Sequence, residues 1–145
     1  MRHHLVLRVV SKLLIPFIIL YGLYVQFHGD FSPGGGFQAG VIIAAAIVLY
    51  ALIFGIDRTR KVFKPSVLLA MAPLGVLVFA FTGYAALALG GNFLDYDWLA
   101  ADDTTGQHIG IITVEFGVGL TVTSVITLIF LAYAGRTDEI DDEDW

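Results

Sequence analysis

The chain has 145 residues, of which 57% are hydrophobic and 14% are charged, with a formal net charge of −5 and no cysteine. So few polar side chains cannot cover a water-soluble core of this size, which excludes an ordinary soluble domain. The lack of cysteine excludes disulfide bonds and thiolate chemistry, and the acidic balance argues against nucleic acid as a partner. We therefore predict an all-α integral membrane protein.

Four hydrophobic segments are long enough to cross a membrane, at residues 9–27, 37–56, 66–89 and 109–133. Each is close to the ~20 residues that a helix needs to span a hydrocarbon layer of about 30 Å. Each must be helical, because lipid offers no partner for backbone N–H and C=O groups. Pro16 and Pro73 fall inside the first and third segments, where each removes a helical hydrogen bond and should bend its helix.

The positive charges predict the orientation of these four spans. All eight Lys and Arg residues fall on one side of the membrane, whereas residues 28–36 and 90–108 contain none. By the positive-inside rule, both termini are cytoplasmic and these two segments face the outside. We expect one four-helix membrane domain at residues 1–136, followed by an acidic cytoplasmic tail at residues 137–145 whose like charges prevent compact folding.

The outer turn between the first two spans is rich in glycine, and three successive glycines permit close approaches that a Cβ would prevent. The spacing of its small residues also fits a dinucleotide-binding motif. That motif needs a preceding strand and a soluble βαβ unit, so nucleotide binding is excluded. One interpretation is a helix start whose N–H groups point into a cavity, as in transporter half-helices. The other, which we favour because glycine faces are common in membrane helices, is a packing face on Gly36 and Gly40. The loop and packing candidates are Ser32, Pro33, Gly34, Gly35, Gly36, Phe37 and Gly40.

The fourth span contains one acidic residue, Glu115, about six residues and roughly 9 Å below the predicted outer end. A charge near a helix centre costs ~2.5–3.5 kcal/mol, so the carboxyl should face protein or water and find a partner or a proton. His108 and Thr123 share its side of the helix, whereas Gly117 lies on the opposite, small-residue side. The Glu115 side is a candidate entry for Na+ or H+, and a contact with a neighbouring subunit is the alternative. Thr123 reads more simply as a packing hydroxyl.

The outer surface adds further candidates to this ion pathway. Asp30 and the other outer aspartates have no basic residue to balance them and should attract cations, although a solvated surface explains them equally well. His28 and His108 lie at similar outer depth on different helices. Nothing supplies further ligands, so neither a metal site nor a haem or other cofactor is predicted.

Two stretches resemble a known family. Residues 28–40 resemble the Gly-His-x-x-Pro-Gly-Gly-Gly-Phe signature of the B subunit of Mrp-type multisubunit Na+/H+ antiporters, the MnhB-like family, although His28 and Gly29 stand in the reverse order. Residues 114–118 are similar to the family's Phe-Asp-x-Gly-Val, with Glu115 where aspartate is more usual. Related subunits also occur in the ion-translocating arms of membrane-bound hydrogenases.

The resemblance implies a multi-pass subunit of a cation/proton antiporter in the cell (inner) membrane of a bacterium or archaeon. It would work with other membrane subunits, Na+, H+ and the lipid bilayer, and would be a secondary transporter subunit rather than an enzyme. Four helices with few internal polar groups are too few to build a complete alternating-access carrier. The alternatives are a hydrogenase-linked membrane arm and a scaffold that conducts nothing.

Overall fold

The computed structural model describes residues 5–29 and 33–136. These residues form helices and connecting turns, without a strand. The predicted acidic tail, and the candidates Asp30 and Ser32, lie outside the described residues. The helices are α1 (Leu5–Phe27), α2 (Gly36–Phe54), α3 (Ile56–Val62), α4 (Pro65–Ala88) and α5 (Asp103–Ala134), with a 3-10 helix at Tyr96–Leu99.

Four helices, α1, α2, α4 and α5, are long and apolar enough to cross a membrane. The prediction of an all-α protein with four spans is therefore confirmed. The largest boundary difference is at α5, which begins at Asp103 rather than at residue 109. Asp102 caps this helix by accepting hydrogen bonds from the backbone N–H and the hydroxyl of Thr105, at 3.1 and 3.0 Å. A capped polar turn extends the helix beyond its apolar part, where hydropathy gives no signal.

The four long helices lie in a row in the order α1, α2, α5, α4. The close pairs are α1 with α2, α2 with α5, and α5 with α4, so α5 connects the two halves of the chain. Helix α1 also contacts α5, where the side chain of Gln26 lies against Gly119. In the described part of the chain, α1 and α4 do not pack as a pair.

Small residues allow α5 to approach both neighbours. On the α4 side, a methyl group on Gly75 would overlap the Thr121 hydroxyl and the Gly117 carbonyl. On the α2 side, a methyl group on Gly40 would lie 2.8 Å from Cβ of Val122. The Thr121 hydroxyl also donates a hydrogen bond across the first interface, to the carbonyl of Ala72 at 3.0 Å. Close backbone approach with interhelical hydrogen bonds is the usual way in which membrane helices associate.

The short helix α3 lies where α5 ends. The guanidinium of Arg60 donates a hydrogen bond to the carbonyl of Leu131, in the last turn of α5, at 3.2 Å. Arg8 and Lys12 of α1 lie over the Phe54 ring, 5.6 and 5.7 Å from its centroid. Basic groups of α1 and α3 therefore lie at this end of the row.

The opposite end carries a folded loop. The ring of Tyr96 lies against Gly110, and its carbonyl lies against Gly106, so the 3-10 helix sits on the first turns of α5. The Gln107 amide donates a hydrogen bond of 2.7 Å to Asp97. Burial raises the pKa of the Tyr96 hydroxyl above its usual value, because desolvation disfavours the phenolate.

Candidate functional site at Glu115

The carboxylate of Glu115 lies against the glycine-rich turn between α1 and α2. A methyl group on Gly35 would lie 2.5 Å from Oε1 of Glu115 and 3.1 Å from its Cδ. A methyl group on Gly29 would lie 2.5 Å from the same oxygen and 2.7 Å from Cδ. Only residues without a Cβ leave room for the carboxylate here, so these glycines form a cradle around a half-buried acid.

The backbone of Glu115 lies equally close to the start of α2. A methyl group on Gly36 would overlap the Glu115 carbonyl oxygen and lie 2.9 Å from its Cα. The N-cap of α2, Gly35, has no side chain to cap the helix. Because a helix N-terminus carries partial positive charge, an acid at this place is stabilised electrostatically. The glycine turn thus combines close packing against α5 with a helix start that faces a carboxylate.

The depth of Glu115 differs from the prediction. It is twelve positions from Asp103, or about 18 Å along α5 rather than roughly 9 Å, because the helix begins earlier than hydropathy indicates. Its contacts with Gly29 and Gly36 place it level with the turn between α1 and α2. Helices α4 and α5 extend beyond that level. Glu115 therefore lies level with the end of the α1–α2 pair but part of the way along the α4–α5 pair.

The two histidine candidates lie in different surroundings. His28 is half-buried next to Gly29, and its ring stacks on Tyr24 with 4.9 Å between the centroids. His108 is exposed on α5, seven positions and about 10 Å further from the turn than Glu115. Within residues 5–29 and 33–136, no three His, Asp or Glu side chains are grouped so that they could hold a metal ion.

An amide that the sequence analysis missed lies one helical turn from Glu115, toward the middle of α1 and α5. Gln26 is 6% exposed, and its Oε1 lies against Gly119. Its Nε2 is buried and has no hydrogen-bond partner among the described residues. A glutamine inside an otherwise apolar span is a signal that could have identified it. Thr123, one turn further along, donates a hydrogen bond to the Gly40 carbonyl at 3.2 Å.

The remaining candidates have other neighbours or surroundings. Gly117 lies on the other side of α5, against Gly75 of α4. Pro33 and Phe37 are exposed beside the cradle. A methyl group on Gly34 would meet only a side chain, that of Val25, at 3.0 Å.

Comparison with known proteins identifies the family. The domain described as related to the MnhB subunit of Na+/H+ antiporter matches residues 6–128, which include the cradle and Glu115. Proteins from Staphylococcus aureus strains Newman and JH1, each provisionally named antiporter subunit mnhB2, are 32% identical over 133 residues. These alignments cover 90% of this chain and 94% of each relative. The chain therefore belongs to the MnhB family and is a membrane subunit of a multisubunit Na+/H+ antiporter.

Proposed function

We propose that this subunit provides an external binding point for Na+ or H+ at Glu115. In this proposal it lies in the cell membrane of a bacterium or archaeon, with both termini in the cytoplasm and the glycine turn on the outer side. It acts as part of a secondary transporter, together with other membrane subunits, rather than as an enzyme. The observation that supports this role is the Glu115 carboxylate held in a cradle of backbone glycines.

The cradle suits an acid that exchanges its counter-ion. A carboxylate inside a membrane helix is costly unless a proton, a cation or a partner neutralises it. The absence of Cβ atoms at Gly29 and Gly35 leaves backbone rather than bulky side chains around the oxygens. A hard cation such as Na+ prefers oxygen ligands, which carboxylates and backbone carbonyls supply. Glu115 can therefore alternate between a proton and a cation.

A route through this subunit alone is opposed by the packing beyond Thr123. Ala44, Ala46, Ser124 and Thr127 are each 0% exposed. The hydroxyls of Ser124 and Thr127 donate to carbonyls of their own helix, each at 2.7 Å. Dry, close-packed side chains leave no space for an ion, so the ion must continue in a partner subunit.

The test is Glu115→Gln in the assembled complex, with exchange measured in membrane vesicles over a range of Na+ concentrations. A lost charged contact is worth about 1.5–3 kcal/mol, so half-maximal exchange should need roughly tenfold more Na+ or be abolished. Asp103→Asn, an exposed acid at the start of the same helix, is the matched control and should leave exchange unchanged.

Unchanged exchange by Glu115→Gln would reject the ion-binding role. The scaffold alternative predicts a different pattern, in which Glu115→Ala prevents the complex from assembling. Co-purification of the partner subunits with each variant separates the two outcomes.

A further inference from the structure

Two cations of α1 converge on one aromatic ring at the end of α2. Arg8 and Lys12 lie one helical turn apart, so their side chains share a face of α1. The guanidinium carbon of Arg8 lies 5.6 Å from the centroid of the Phe54 ring, and Nζ of Lys12 lies 5.7 Å from it. Both distances are within the ~6 Å at which an aromatic ring attracts a cation. The ring therefore gathers two like charges around itself.

The ring that holds the two cations is fixed by aromatic packing. Its centroid lies 4.8 Å from that of Tyr50, one turn earlier in α2. The Tyr50 ring packs edge to face with Phe63, at the end of α3, with 6.3 Å between the centroids. All three rings are half-buried. The cations therefore converge on a preorganised place, which α1, α2 and α3 form together.

Within the described chain, these two cations lack an opposite charge. Neither Arg8 nor Lys12 has a carboxylate partner among residues 5–29 and 33–136. At this end of the row, the same residues include a single acid, Asp57 on α3, which is exposed. The basic residues of the described chain all lie at this end, and they are Arg8, Lys12, Arg58, Arg60, Lys61, Lys64 and Arg136. Charges of one sign at this density attract an anion from outside the chain.

Exposed apolar side chains flank the two cations. Leu5, one turn before Arg8, is 75% exposed, and Val9, between the two cations, is 57% exposed. Phe54 is the last residue of α2, so the cations lie where a membrane-spanning helix ends. Long basic side chains at such an end reach toward lipid headgroups. A free phosphate would meet only the charges, whereas a phospholipid would meet the charges with its phosphate and the apolar side chains with its acyl chains.

We propose that Arg8 and Lys12 form a binding site for the phosphate of an anionic phospholipid, whose acyl chains lie along the exposed side of α1. The planar guanidinium of Arg8 can donate two parallel hydrogen bonds to one phosphate, and the Lys12 ammonium adds a second charge. Phe54 is a positioning residue that holds both groups at the α1–α2 contact. The length of α2 separates this site from Glu115, so the inference does not depend on the proposed ion-binding role.

The first experiment measures lipid at this site in the assembled complex. The complex is placed in phosphatidylcholine vesicles that contain a small fraction of photoactivatable phosphatidylglycerol, and the label attached to α1 is measured by mass spectrometry. Arg8→Gln combined with Lys12→Gln should lower this label roughly tenfold, because both charge-assisted contacts are lost. The control, Arg58→Gln combined with Lys61→Gln, removes the same charge from exposed positions on α3 and should lower the label less than about twofold. Equal losses in the two variants would overturn the site.

Further arms of this experiment identify the source of the phosphate. Photoactivatable phosphatidylcholine with the same reactive acyl chain should label α1 roughly tenfold less, because its headgroup has no net charge. Equal labelling would show that acyl chains alone bind. Loss of the label in inorganic phosphate, relative to potassium chloride of the same ionic strength, would show a site for a free anion. A large increase of the label on deletion of residues 137–145 would show that this acidic segment occupies the cations. Each of these three results would overturn the lipid assignment.

The second experiment tests the ring, and it also covers the case in which the double variant does not assemble. Phe54→Leu keeps an apolar side chain but removes the ring, so the label should fall about threefold, and Phe54→Trp should restore it. Lys12→Gln alone, at an exposed position, should also lower the label about threefold. Co-purification of the partner subunits verifies assembly of each variant. Unchanged label in both Phe54→Leu and Lys12→Gln would overturn the proposal.

Discussion

Three successive glycines, identical in the sequence, have different surroundings. A methyl group on Gly36 would overlap the Glu115 carbonyl, and one on Gly35 would overlap the carboxylate. Gly34 is different, because its nearest neighbour is a methyl group of Val25, which a small side-chain rotation can move. Glu115 therefore packs directly against Gly35 and Gly36. Gly34 lies in the same turn without a close backbone contact.

Gly36→Ala should destabilise the subunit by about 1–3 kcal/mol, because the new methyl group forces α2 away from α5. Gly34→Ala, two positions away in the same turn, should cost less than about 1 kcal/mol. Thermal denaturation of the purified complex, followed by size-exclusion chromatography, measures both. Equal melting temperatures for the two variants would show that the close contact at Gly36 does not contribute to stability.

Helix α5 is the central element, because its two sides pack on different helices. One side carries Gly119 and Thr123 toward α2, and the other carries Gly117 and Thr121 toward α4. Each side combines a glycine with a hydroxyl one turn away. The glycine allows close approach, and the hydroxyl satisfies its own hydrogen bond inside the lipid phase.

Gly75→Ala tests the α4–α5 interface, where the methyl group would overlap the Thr121 hydroxyl and the Gly117 carbonyl. We expect a loss of about 1–3 kcal/mol. Gly22→Ala, in the α1–α2 interface, is the control, since its methyl group would meet a side-chain atom, Cγ1 of Ile43 at 2.8 Å, with the nearest backbone atom 3.5 Å away. Both substitutions raise helix propensity by the same amount, so the difference in melting temperature reports the interface. A control that melts lower than Gly75→Ala would contradict the assignment.

The short helix α3 stabilises the last turn of α5 through Arg60. The Leu131 carbonyl also accepts from the Gly135 N–H at 3.1 Å, and a cation near a helix C-terminus interacts favourably with the helix dipole. Arg60→Gln removes the hydrogen bond to Leu131 and should cost about 0.5–1.5 kcal/mol locally. Hydrogen exchange followed by mass spectrometry should show lower protection in residues 131–135. Arg58→Gln, exposed on the same helix, should leave that protection unchanged.

The whole molecule is an open row of helices with extensive apolar surface. Helix α1 is the least covered span, with 11% of its most apolar window buried inside the chain. Apolar surface of this extent is expected of a multi-pass membrane subunit. The Glu115 carboxylate and the buried Gln26 amide lie where the α1–α2 pair meets α5.

The orientation of the row is tested by single cysteines at its two ends. Asn92 is exposed in the α4–α5 connection, and Lys61 is exposed on α3. A membrane-impermeant maleimide should label Asn92→Cys in intact cells, and Lys61→Cys only after permeabilisation, if the positive charges face the cytoplasm. The reverse pattern would place Glu115 on the cytoplasmic side and remove its role as an external site.

Fold class, number of spans and family were predictable from the amino-acid order alone. Apolar length and the positions of the Gly-rich turn and Glu115 are properties of consecutive residues, and they need no knowledge of neighbours. The division of α5 into two sides also followed from helical periodicity, which assigned Glu115 and Gly117 to different faces. These features are local, so the physics that produces them acts within one segment.

Other features could be found only once the helices were assembled. They are the contact of Glu115 with Gly29 and Gly35, the level of that acid and the buried amide of Gln26. The contacts join residues about 80 positions apart in the chain, and they set the level of Glu115 relative to the turn between α1 and α2. Which atoms face each other between helices depends on the packing of every helix against its neighbours at once. No single segment carries that information.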